Sequence, residues 1–132
     1  MKSRELLEKY PKAAEAVLEF HTNLFRKTLE SADISPEFKE FAQTQVLDTD
    51  TVADLIDTNP RGTFDVFDAN GIYITTPVSA ADGPHFRWEI QTDYENVLTE
   101  EHETYSSEFL NTRKEAETAA IEKAFEILNN KL

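Results

Sequence analysis

Phe64-Asp65-Val66-Phe67-Asp68-Ala69-Asn70-Gly71-Ile72-Tyr73-Ile74-Thr75 is the stretch on which the fold class turns. Two short apolar runs, 64 to 67 and 72 to 75, flank Asp68-Ala69-Asn70-Gly71, and Asn-Gly supplies the left-handed backbone that a tight hairpin needs. The stretch therefore predicts a β-hairpin. Downstream, Phe86-Arg87-Trp88-Glu89-Ile90-Gln91 alternates apolar and polar residues, which puts Phe86, Trp88 and Ile90 on a core face and Arg87, Glu89 and Gln91 toward water. A last strand is expected at 105 to 110, with Ser107 and Phe109 sharing a face.

Helical signals lie on both sides of this region. Pro11 suits the first turn of a helix. After it, Ala14, Val17, Leu18, His21, Leu24, Phe25, Thr28 and Leu29 recur at three and four residues, one face of an amphipathic helix. Ser35-Pro36-Glu37 reads as a cap, a first-position proline and a first-turn acid, with Phe38 and Phe41 following. Asp48 or Asp50 caps a third helix through Val52, Leu55 and Ile56, ended by Asn59-Pro60-Arg61-Gly62. Thr112-Arg113-Lys114-Glu115 fits the capping box of a closing helix whose stripe is Ala116, Ala120, Ile121, Ala124, Ile127 and Leu128. The expectation is one α+β domain over 1–132. It has a helical part at 1–58, an antiparallel meander of three or four strands within 63–110, and a C-terminal helix at 112–130 packed on the sheet.

The formal net charge is −13 and there is no cysteine. Absence of thiols excludes disulfides, a cysteine nucleophile and cysteine-ligated metal centres. Charge is segregated: between residues 43 and 112, fourteen acids meet only Arg61 and Arg87, while both flanking parts are close to neutral. Such a field repels phosphate backbones and anionic membranes, so direct nucleic-acid or membrane binding is not expected. The start MKSRELLEKYPKAAEAV lacks the apolar core of a secretion signal, and no apolar run approaches the ~20 residues of a membrane span, which gives a cytoplasmic expectation.

Residues able to carry chemistry are scattered. His21 sits on the apolar stripe of the long helix and reads as a hydrogen-bonded histidine at the core or its edge. Glu101-His102-Glu103 begins like a zinc-protease motif, but residue 106 is Ser where the second histidine belongs. With Gly71 as the sixth position of a calcium loop, Asp68 and Asn70 fall correctly, whereas Val66 and Pro77 occupy positions that need carboxylates. Asp48, Asp50 and Asp54 offer an improvised cation site, although a helix start collects acids for its own dipole. There is no nucleophile elbow, Walker loop or dinucleotide fingerprint. No catalytic residue, metal or cofactor is assigned.

Two resemblances bear on the reading. Gly83-Pro84-His85 before the strand at 86–91, with Arg113-Lys114-Glu115-Ala116-Glu117 opening the last helix, resembles a degenerate double-stranded RNA-binding domain. That resemblance implies the fold without the RNA contact, since the loop histidine lacks its spacing residue and Glu117 stands where the family carries a base. The run from Asn111 to Phe125 is similar to short uncharacterised proteins of bacterial phages and mobile elements, which have no agreed function; an accessory or inhibitor protein of such an element is the expectation.

The leading expectation is a non-enzymatic interaction protein whose acidic surface meets a protein partner with a basic surface, through Glu89, Asp93, Glu95, Glu100, Glu101 and Glu103. The alternatives are a small metal-dependent hydrolase built from scattered Asp, Glu and His residues, and a homo-oligomer joined through aromatics such as Phe38, Phe41 or Tyr73.

Overall fold

In a computed structural model, residues 2–79, 85–92, 104–106 and 110–132 are described. The element order is α1 (Ser3–Lys9), α2 (Pro11–Glu30), α3 (Pro36–Gln43), α4 (Thr49–Thr58), a 3₁₀ turn (Pro60–Thr63), α5 (Phe64–Asp68), β1 (Ile72–Thr75), β2 (Val78–Ser79), β3 (His85–Phe86), β4 (Glu89–Thr92), β5 (Thr104–Ser106) and α6 (Arg113–Lys131). Helix and sheet are mixed, as the α+β expectation requires.

The helix boundaries follow local chemistry. Ser35 accepts a hydrogen bond from the Phe38 backbone N–H, with Pro36 first in α3. Asp48 accepts from the Thr51 N–H at 2.7 Å, and Thr112 from the Glu115 N–H at 3.1 Å. Each cap satisfies a donor that the first helical turn leaves without an intrahelical partner.

The hairpin at 64–75 does not form. Phe64–Asp68 is the short helix α5, continuing directly from the 3₁₀ turn. Asn59-Pro60-Arg61-Gly62 ends α4 at Thr58 as expected, and Pro60 then opens the 3₁₀ turn that runs on into Phe64. Helical spacing buries Val66 and Phe67 together and leaves Asp65 outside, which strand alternation cannot do. The Asn70 side chain donates to the Val66 carbonyl at 2.7 Å, and Gly71 adopts φ 73°, so Asn-Gly terminates a helix rather than turning a hairpin.

The sheet has three antiparallel strands in the order β1-β4-β5, pairing Ile72 with Thr92, Ile74 with Ile90, and Ile90 with Tyr105. A separate antiparallel pair joins β2 to β3. The strand expected over 86–91 is thus split: Phe86 pairs with Val78 and bridges to Leu110, while 89–92 joins the larger sheet. Ile90 is fully buried, but Phe86 and Trp88 are only half-buried, as are Arg87 and Glu89 on the opposite parity. Of the expected strand at 105–110, Tyr105 and Ser106 lie in β5, Leu110 makes only the bridge, and 107–109 fall outside the described residues.

One cluster of buried side chains draws on α1, α2, α4, α5, β1, β4 and α6, including Leu6, Val17, Val52, Phe67, Ile72, Ile90, Phe125 and Leu128. Helix α6 buries five of its six expected positions, Ala116, Ala120 and Ala124 completely, against neighbours that include β1 and β4; Ile127 is only half-buried, and Phe125, outside the expected stripe, is fully buried. On α2 the stripe divides. Ala13, Ala14, Val17, His21 and Thr22 are buried, whereas Leu24 and Phe25 are exposed.

Candidate functional site

That division of α2 creates the candidate site. The chain leaving α3 runs back along α2: Arg26 donates to the Gln45 carbonyl at 2.7 and 3.2 Å, and the Leu47 N–H donates to the Thr22 hydroxyl at 3.1 Å. These bonds fix Leu47 beside α2, and Asp48 then caps α4 at once. Between α2 and α4 a groove of about 460 Å³ remains open. Leu24, Phe25 and Thr28 form one wall and Thr51 and Leu55 the other, with Leu47, Asn59 and Gly62 completing the lining.

His21 belongs to the same lining yet is 7% exposed, and its Nε2 lies 3.1 Å from the hydroxyl of the fully buried Thr63. Its ring meets Phe20 edge-on, centroids 5.2 Å apart. This is the hydrogen-bonded core-edge histidine read from the helix stripe. Burial disfavours the charged imidazolium and holds the His21 pKa below its ordinary 6.5.

The consequence for stability has a definite sign. Below pH 6.5 the unfolded chain takes up a proton at His21 that the folded chain resists, so stability falls as pH drops toward the folded value. The loss is at most about 1.4 kcal/mol per pH unit within that window. Asp48, held below its ordinary 3.8 by the Thr51 N–H, loses its contribution only in stronger acid. Asp68, raised by burial and then by the neighbouring Asp65 charge, works in the opposite direction and above 3.8, where the cost of its charge is relieved as pH falls. Urea midpoints are expected to fall between about pH 7.5 and 5.5 in the native protein and to stay nearly level in His21→Gln. Equal slopes in the two proteins would assign the effect to another group.

The expected acidic contacts are distributed differently. Glu89, on β4, is half-buried and 2.9 Å from the Arg87 guanidinium, so its charge is locally offset. Asp93, Glu95, Glu100, Glu101 and Glu103 lie outside the described residues, as does His102. Of the acids proposed for an improvised cation site, Asp48 caps α4 and Asp50 pairs with Arg4 at 2.9 Å. Among the described residues, no group of three or more His, Asp or Glu side chains is placed to hold a metal ion. Glu117, singled out at the opening of α6, turns inward and meets the Arg61 guanidinium at 3.1 Å. Phe38, Phe41 and Tyr73 are all exposed.

Sequence reasoning placed Leu24 and Phe25 on the apolar face of the long helix and Leu55 beside Val52 and Ile56 in the third, without separating covered from uncovered positions. Their signal is identical to that of core residues, because an apolar stripe of helical period does not state which part of it will be covered.

Comparison of the chain with protein-family models, with known proteins and with solved structures gives no match. No helix among the described residues is long and apolar enough to cross a membrane.

Proposed function

We propose that this chain is a non-enzymatic protein-interaction module for a partner with a basic surface. One observation carries the reading: Leu24, Phe25, Phe38, Phe41, Val46 and Leu55, six large apolar side chains drawn from α2, α3, α4 and the intervening segment, are exposed in a chain of net charge −13. Val46 is 70% and Phe41 59% exposed, and the Phe38 and Phe41 rings lie 6.4 Å apart. Exposed apolar surface of this kind, amid charged residues, is characteristic of interaction sites and costly to leave facing water. The acidic field contributes encounter rate and selectivity, while the apolar side chains contribute most of the affinity.

The two components separate experimentally. Tagged protein, incubated with nuclease-treated lysate and eluted by a salt gradient, is expected to retain a basic protein that Phe38→Ser/Phe41→Ser loses, while the variant's unfolding midpoint stays unchanged. Capture that is identical in the two proteins, or that does not occur in either, overturns the reading.

A further inference from the structure

The groove between α2 and α4 narrows the partner further. Resting on the interaction reading above, we infer that its occupant is the apolar edge of a basic amphipathic helix.

The groove's two walls offer side chains, and the backbone N–H of Gly62 at its end already donates to the Asn59 carbonyl at 3.1 Å. Its walls are the flanks of two helices, the Thr51 N–H in the first turn of α4 being taken by the Asp48 side chain, and among the described residues no strand edge lines it. An extended segment laid there would leave its own backbone polar groups without partners in an apolar trough, a cost comparable to a lost hydrogen bond for each. A helix brings its backbone already satisfied and presents apolar side chains at spacings of three and four residues, which suits a trough between two helices.

Charge selects the sign of that helix. Helix α4 and its cap carry Asp48, Asp50, Asp54 and Asp57, all exposed, and no basic residue, with Asp54 next in sequence to the lining residue Leu55. Asp50 is tied to Arg4 and Asp57 accepts from Ser3, on the side of α4 that meets α1, whereas Asp48 lies one turn from Thr51 and two from Leu55 in the lining. On the opposite wall Arg26 is committed to the Gln45 carbonyl, leaving Lys27 as the basic residue of that turn. Lys or Arg flanking the apolar edge of the partner would therefore meet complementary charge along α4. A second copy of the chain would bring a like charge of −13 instead.

The test uses the full chain and a fluorescent peptide of about 18 residues, composed of Leu and Lys in amphipathic helical order, followed by anisotropy. Its scrambled isomer and a Leu/Glu helix of the same apolar face are the controls. The Leu/Lys helix is expected to bind at least about tenfold more tightly than either control. Leu24→Ser/Leu55→Ser is expected to weaken it by about tenfold, and Asp54→Lys by about threefold at low salt with a flatter salt dependence. Circular dichroism and unfolding midpoints establish that the variants fold, as the exposure of all three positions leads one to expect.

Equal binding of the scrambled isomer, or undiminished binding by the Leu24/Leu55 variant, overturns the groove assignment, as does concentration-dependent dimerisation that the Leu24/Leu55 variant abolishes. If lysate capture through Phe38 and Phe41 persists in any of those cases, the interaction reading stands without the helix. If capture is lost as well, both fail.

Discussion

Phe125→Ala is expected to lower the unfolding free energy by about 3–5 kcal/mol, a large share of the roughly 5–15 kcal/mol that holds an ordinary domain. Phe125 is fully buried on α6, and its ring meets that of Phe67 edge-on with centroids 5.7 Å apart. Truncation removes the transfer free energy of the ring, opens a cavity beside Phe67 and forfeits an aromatic pair that adds about 0.5–1.5 kcal/mol beyond burial. Urea unfolding measures the change. Phe41→Ala is the companion measurement, because an exposed aromatic should shift stability by no more than about 0.5 kcal/mol. A loss below about 1 kcal/mol for Phe125→Ala would mean that α6 is not seated on α5 in this way.

The second large effect concerns the pair formed by Arg61 and Glu117. The Glu117 side chain is 11% exposed and that of Arg61 56%, so the carboxylate sits inside and the guanidinium reaches it from the rim. Arg61 also approaches the Thr76 hydroxyl at 3.4 Å, linking the 3₁₀ turn to the end of β1. Removing one partner of a fully buried pair costs about 3–5 kcal/mol, and solvent around Arg61 reduces that here to about 1–3 kcal/mol for Arg61→Met. Adding Glu117→Leu should restore most of the loss, since an apolar pair of similar volume leaves no charge to desolvate. A neutral Arg61→Met would show that water reaches Glu117, and a double variant no better than the single would show that packing rather than charge is responsible.

These predictions rest on facts of unequal legibility. Thr112 and Ser35 were readable as caps, and the α4 cap was narrowed to Asp48 or Asp50, because a cap is local: one side-chain oxygen reaches an N–H three residues ahead, whatever the rest of the chain does. The α6 stripe was readable for a related reason, as six apolar positions over three turns leave one face to bury. Phe64-Asp65-Val66-Phe67 carried no comparable information. Four residues with apolar side chains at the first, third and fourth positions fit a strand and a helical turn about equally, and Asn-Gly serves both a hairpin turn and a helix end. The 3₁₀ turn upstream and the place beside Phe125 for Phe67 decided between them.

The groove was illegible for a different reason. Leu24 and Phe25 continue the stripe that Val17 and His21 begin, and Leu55 follows Val52 on α4 in the same manner. Whether such residues are covered depends on where other elements end. The segment pinned by Arg26 and Thr22 leads the chain into α4 before any other described residue crosses the second half of α2's face, so the apolar spacing continues past the cover the described residues give it.

The sequence by itself determined the mixed helix-and-sheet class, the positions of the capped helices, and an acidic charge concentrated between residues 43 and 112, because each depends on neighbours a few residues apart or on composition alone. Only the tertiary structure decided that 64–68 is helical, that Glu117 turns inward to Arg61, and that half of an apolar stripe faces water. Each of those outcomes is set by which distant surface arrives to compete for the same side chains, and contacts across 40 or more residues leave no periodic trace in the chain.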